Sequence, residues 1–207
     1  GGPGVGKTET IRQIAKATGR DIFMVDMALK SKWIGESEKN LKQVFKTYKR
    51  LVRESEVAPI LLFNEADAIF GKRLVEETSA EKLNNALQNI ILQEMEDLEG
   101  ILIATTNMTK SFDAAFERRF LYKVLFKTPS VGVKAKIWKA MVDDISDSDA
   151  ESLAARYSFT GGQIENITRK LDVEYVLYGN APDLEKIHFL CKSEGIRKEN
   201  NRKAIGF

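Results

Sequence analysis

The chain has 207 residues, room for one large domain or a domain with a smaller appendage, and its 43% hydrophobic and 30% charged content excludes a disordered polymer. With 32 Lys and Arg against 30 Asp and Glu, the formal charge of +2 is too weak to point to a nucleic-acid partner. One cysteine, Cys191, cannot close an intramolecular disulfide, and no apolar run approaches the roughly 20 residues of a bilayer span, so a reducing, cytoplasmic setting without a membrane partner is expected.

The chain opens at Gly1, inside a motif, with no initiating methionine and no charged-then-apolar leader, and therefore reads as a fragment. Gly1-Gly2-Pro3-Gly4-Val5-Gly6-Lys7-Thr8 fits the pattern G-x-x-x-x-G-K-[ST], and a helix-compatible stretch follows from Glu9. Glycines let the backbone N–H groups of Gly4 to Thr8 turn inward around a phosphate, where a helix N-terminus adds partial positive charge. Gly2, Pro3, Gly4, Val5, Gly6, Lys7, Thr8 and Glu9 are thus the candidate nucleotide contacts. Lys7 is expected to reach the β and γ phosphates, and the Thr8 hydroxyl to ligate Mg²⁺.

Further along, Ile22–Val25, Ile60–Phe63, Ile101–Ala104 and Val124–Phe126 are short apolar runs of the kind that form strands buried on both faces in a parallel sheet. Between them, Leu41, Val44, Phe45, Tyr48, Leu51 and Val52, and then Leu83, Leu87, Ile90, Ile91 and Met95, follow helical spacing. Strands alternating with helices predict an α/β fold with right-handed crossovers over residues 1–128. After Thr128-Pro129 the strand signal stops. Helices are expected near Val133–Val142, Asp149–Tyr157, Gln163–Tyr178 and Leu184–Cys191, giving a small helical domain over 129–195, followed by a polar, poorly ordered tail over 196–207.

The second apolar run ends in Asn64-Glu65-Ala66-Asp67. In P-loop NTPases this strand end normally carries an Asp that holds Mg²⁺, and here Asn64 stands at that position. Its amide oxygen can accept a hydrogen bond but adds no negative charge, so weaker metal binding is expected.

The third run ends in Thr105-Thr106-Asn107, and Phe112-Asp113-Ala114-Ala115-Phe116-Glu117-Arg118-Arg119-Phe120 follows it. These segments resemble the second region of homology of the AAA family of ring-forming ATPases, and with the P-loop and the strand-end motif they are in the family's order. The resemblance covers the chain to about Gly195. It implies an α/β P-loop core with a C-terminal helical lid, and ATP and Mg²⁺ as cofactors. By it, Glu65 is the carboxylate that polarises the attacking water, Asn107 is the sensor-1 residue, and Arg118 and Arg119 are arginine fingers. A guanidinium is always charged and forks onto phosphate oxygens, which suits that role. Lys32-Trp33-Ile34-Gly35-Glu36-Ser37-Glu38 is similar to the family's central-pore loop, which implies a protein or peptide substrate gripped at Trp33 and Ile34. Phe159-Thr160-Gly161-Gly162 sits before a lid helix as the family's glycine pair near the adenine does, which makes Gly162 a candidate contact. Two departures stand out: Asn64 replaces the family's Asp, and the strand that precedes the P-loop in the family has no counterpart here.

Three functions compete on this reading. The first is a ring-forming Mg²⁺-dependent ATPase, by resemblance a homo-oligomer and a hexamer in the full-length protein, that remodels or translocates a protein. The second is a nucleotide-responsive scaffold in which Asn64 slows hydrolysis. The third, a P-loop kinase or nucleic-acid motor, is disfavoured by the arginine pair and the pore-like Trp33.

Overall fold

A computed structural model of the chain describes residues 1–26, 37–71, 78–108, 113–179 and 183–203. The chain falls into two compact units, one comprising Gly1 and Lys7–Leu125, the other Gly2–Gly6 and Phe126–Phe207.

In the first unit, strands β1 (Ile22–Asp26), β2 (Ile60–Asn64) and β3 (Ile101–Ala104) form a parallel sheet in the order β1-β2-β3. Helices α1 (Lys7–Thr18), α2 (Ser37–Glu54), α3 (Asp67–Phe70), α4 (Ser79–Glu96) and α5 (Ala114–Arg119) flank it, the α/β arrangement expected from the sequence. Alternation along β2 explains why the whole strand is apolar. Ile60 and Leu62 cluster with Ile11 and Ala15 of α1, while Leu61 and Phe63 cluster with Leu41, Phe45 and Tyr48 of α2 and Leu87 and Ile91 of α4. Each such side chain contributes roughly 1.5–3 kcal/mol through the apolar area it removes from water. The register places Asp26 opposite Asn64 and Phe63 opposite Ala104, so all three strands end at the same level and deliver their following residues to one edge of the sheet.

Tyr48 fixes the opposite edge. It is fully buried, its hydroxyl donates to the Pro59 carbonyl at 2.9 Å, and it accepts the Ile101 N–H at 2.8 Å. Gly100, at φ 135°, passes so close that a Cβ there would collide with this hydroxyl. Tyr48→Phe keeps the ring but orphans the Ile101 N–H, and is expected to cost about 1–3 kcal/mol. Urea unfolding of parent and variant checks this; equal midpoints would show that the hydroxyl contributes nothing.

In the second unit, α6 (Val131–Met141), α7 (Asp147–Arg156), α8 (Gly161–Tyr178) and α9 (Leu184–Lys203) surround Trp138, Leu153, Ile164, Ile167 and Cys191. Thr160 and Gln163 form a reciprocal capping box that starts α8, and Gly179, at φ 72°, ends it. Lys134 is buried, yet its ammonium donates to the carbonyls of Ala154 and Tyr157 at the C-terminal end of α7, where a cation also meets the negative end of the helix dipole. Burial pushes the Cys191 thiol up to about 12, which leaves it an inert core group.

The structure departs from two expectations. Val124–Phe126 forms no strand. A strand persists only where a neighbour meets its N–H and C=O groups, and among the described residues nothing pairs with this segment, whose Val124 and Leu125 stay exposed. In addition, the polar stretch after Gly195 is helical as far as Lys203, because its Arg, Lys and Glu residues are good helix formers and no proline interrupts them.

Candidate active site

The end of the sheet where the strands stop gathers the polar residues of the first unit. Lys7, the first residue of α1, donates from its ammonium to the Asn107 side-chain oxygen at 2.8 Å and to the Gly1 carbonyl at 2.9 Å. Thr8 donates its hydroxyl to Asn64 Oδ1 at 2.9 Å. Lys7, Thr8, Asn64 and Asn107, four of the residues singled out in the sequence, are therefore in direct contact across separations of 56 to 100 residues. Glu65 follows immediately, exposed and at φ 51°, a left-handed conformation that is strained for any residue with a Cβ. Burial lowers the Lys7 pKa, and the nearby charges of Asp67 and Glu65 act to raise it.

Asp67, Thr105 and Thr106 had no assigned role in the sequence, yet they hold this edge together. Asp67 accepts from the Thr106 hydroxyl and, at 2.8 Å, from the Asn107 N–H. Burial acts against its charge, but the hydrogen bonds from Thr106, Asn107 and Met108 outweigh it and keep the carboxyl below the usual carboxylate range. Thr105 N–H donates to the Phe63 carbonyl at 2.9 Å, and its own carbonyl accepts the Ala66 N–H at 2.9 Å. These links continue the sheet two residues past its formal end. The available signal in the sequence was a pair of hydroxyls and a carboxylate just after two apolar runs.

Within the second unit, Gly162 N–H donates to the Gly4 carbonyl at 2.9 Å, and a Cβ on Gly162 would lie 3.0 Å from Gly4 Cα. Only glycine fits such an approach without displacement. Gly4 and Gly6 both take positive φ, 70° and 95°. Gly2, Pro3 and Gly4 are exposed, and Val5 and Gly6 are partly buried. Glu9 lies on the outer surface of α1, where its carboxylate accepts from Gln13 at 2.6 Å and pairs with Arg12 at 3.6 Å.

The two arginines differ. Arg119 forms an ion pair with Glu96 of α4 and donates to the Ala115 carbonyl at 3.3 Å, whereas Arg118 is exposed and makes no ion pair with a described residue. Trp33 and Ile34 lie outside the described residues. Among the described residues no helix is long and apolar enough to cross a membrane.

A phosphate-loop motif running into the first helix of a parallel α/β sheet, with its Lys and Thr meeting polar groups at the strand ends, defines the P-loop NTPase class. The model of one family, "ATPase family associated with various cellular activities (AAA)", matches residues 1–128. The chain belongs to this family of ATPases, for which nucleotide binding is the common property. Among curated proteins it is similar to Protein CdcH of Halobacterium salinarum, with 30% identity over 95% of this chain and 27% of that protein. It is also similar to ATPase family gene 2 protein homolog B of Bos taurus, with 27% identity over 100% of this chain and 28% of the relative. Vacuolar protein sorting-associated protein 4B of Mus musculus is 28% identical over 82% of this chain and 39% of its own length. The chain thus spans between about a quarter and two fifths of these relatives.

Proposed function

We propose that this chain binds ATP with Mg²⁺ and hydrolyses it as one subunit of a homo-oligomeric ring, a hexamer in the full-length protein, coupling turnover to remodelling or translocation of a protein substrate. The observation that carries the reading is the contact set Lys7–Asn107 and Thr8–Asn64 beside Glu65. Lys7 provides the side-chain cation of the phosphate cradle. Glu65 is the base that takes the proton of the attacking water, and Asn107, already at hydrogen-bond distance from Lys7, orients that water. Gly4 and Gly162 supply loop backbone for the nucleotide, with Gly162 towards the adenine. In the cytoplasm, where we place the protein, Trp33 and Ile34 grip the substrate.

The residues present fit Mg²⁺. This ion uses one or two protein oxygens and otherwise phosphates and water, so it does not need a cluster of carboxylates. Thr8 gives its proton to Asn64 Oδ1, which keeps lone pairs of the Thr8 oxygen for a cation. Bound Mg²⁺ supplies positive charge that offsets the phosphates during transfer. Asn64 contributes an acceptor but no charge, and this favours a second reading, a scaffold that binds ATP and turns it over very slowly.

The ring is tested through the arginines. Arg118 is the finger acting on a neighbouring subunit, and Arg118→Ala is expected to lose roughly 10³-fold or more in turnover. Mixing that variant with Glu65→Gln subunits should restore part of the activity, because each supplies what the other lacks. No rescue in any ratio would point to a monomeric enzyme or a structural role. Arg119→Ala should be rescued less well, since it also loses the tie to Glu96 within its own subunit.

A further inference from the structure

We propose that Thr105 is a positioning residue that makes the neutral Asn64 serviceable in this site, by locking its amide oxygen onto Thr8 while holding the backbone of Glu65. The proposal rests on the reading of the site as a nucleotide site. Thr105 is 4% exposed, so its hydroxyl has no access to bulk water and must be satisfied within the protein. It donates to Asn64 Oδ1 at 3.0 Å and accepts the Glu65 N–H at 3.0 Å. Asn64 Oδ1 also accepts the Thr8 hydroxyl at 2.9 Å, so one oxygen atom receives two hydroxyl protons, one from Thr8 on α1 and one from the buried Thr105 just after β3.

The arrangement matters because the side chain is an amide. A carboxylate has an acceptor at both oxygens, so it can be turned over without consequence. An amide has a single oxygen, and a flip would present its NH₂ group to both hydroxyls. Thr8 would then have to accept with the lone pair that a cation needs. The buried Thr105 proton opposes this flip, because in the flipped state it would face a donor and lose its acceptor. The same hydroxyl oxygen meets the N–H of Glu65, whose left-handed backbone at φ 51° needs such support to persist. Thr105 thus couples two functions, the acceptor behind the metal ligand and the placement of the base.

The test uses the full-length protein, a fluorescent ATP analogue titrated at several Mg²⁺ concentrations, and phosphate release at saturating Mg²⁺-ATP. Thr105→Val, which keeps the shape and removes the hydroxyl, should raise the Mg²⁺ midpoint for analogue binding roughly tenfold, the usual size of an outer-sphere effect on metal affinity. Turnover should fall by about as much, while Thr105→Ser, which retains the hydroxyl, stays within about twofold of the parent. In an Asn64→Asp background the effect of Thr105→Val on the midpoint should shrink, since a carboxylate cannot be flipped out of register. If the valine variant is not folded at the assay temperature by thermal melting, Thr105→Ala is compared instead, with the same expectation. Parent-like midpoint and turnover in the folded hydroxyl-free variant would overturn the proposal, as would a serine variant equal to the valine one, or an undiminished effect in the Asn64→Asp background. Failure of the parent itself to bind the analogue at any Mg²⁺ concentration would instead remove the nucleotide-site reading, and this proposal with it.

Discussion

Lys7→Ala is expected to abolish measurable ATP binding. Lys7 stands at the first position of α1, its ammonium within 2.9 Å of two oxygen acceptors at the sheet end, and in the proposed cradle it supplies the side-chain cation for the phosphates. Truncating one member of a desolvated charge pair costs about 2–5 kcal/mol, which is on the order of 30- to 5,000-fold in affinity. Burial already lowers the pKa of this group, and a phosphate next to it would act in the opposite direction, as Asp67 and Glu65 do now. The variant should retain its fold, because the lost contacts lie at the rim of the sheet rather than in its apolar clusters. Titration with a labelled ATP analogue measures the effect, and unchanged affinity would remove the phosphate-loop assignment.

Glu65→Gln should separate binding from chemistry. The change keeps size and polarity but removes the basic oxygen, so the analogue should bind as in the parent while turnover drops by roughly 10²- to 10⁴-fold, the range for loss of a general base. Glu65 is exposed at the strand end and makes its backbone contact with Thr105, so the substitution disturbs no core packing. Accumulation of ATP-bound protein, seen as undiminished labelled nucleotide after prolonged incubation, is the expected signature. Parent-like phosphate release would take Glu65 out of the mechanism.

How far the fold could be read from the sequence depended on how local its causes are. Ile60–Phe63 was legible because a central parallel strand must be apolar on both faces, and the clusters on the two sides of β2 show why; Ile101–Ala104, beside it, also serves both clusters, Leu102 and Ala104 on one side and Ile101 and Ile103 on the other. Val124–Phe126 has the same composition and is not a strand, since pairing depends on a neighbour rather than on the segment itself. The helices of the second unit were expected once the strand signal stopped after Thr128-Pro129, and α6 to α9 stand there. The end of the last one was not, because charged residues that look like a solvated tail also extend a helix.

The site divides in the same way. Lys7, Thr8, Asn64 and Asn107 could be picked out because the motif spacing and the strand ends mark them, and the structure joins them by hydrogen bonds. Asp67 and Thr105 could not, because their roles arise from the register of β2 against β3, which sets Phe63 opposite Ala104 and brings Thr105 level with Asn64. The left-handed turn at Glu65 has no signature in a residue that normally avoids it. Likewise, the sequence made Arg118 and Arg119 equivalent, and the structure distinguishes them, tying Arg119 to Glu96 on α4 and to the Ala115 carbonyl while Arg118 stays exposed.

The central claim is that Asn64, despite carrying no charge, leaves this site able to hydrolyse ATP. Steady-state phosphate release by the full-length protein, at saturating ATP with and without Mg²⁺, tests it most directly, with bound nucleotide quantified in the same samples. The account predicts continuous Mg²⁺-dependent release that disappears in Glu65→Gln. Stoichiometric ATP bound in the parent, with no release above the Glu65→Gln background at any Mg²⁺ concentration, would contradict it and leave the scaffold reading in its place.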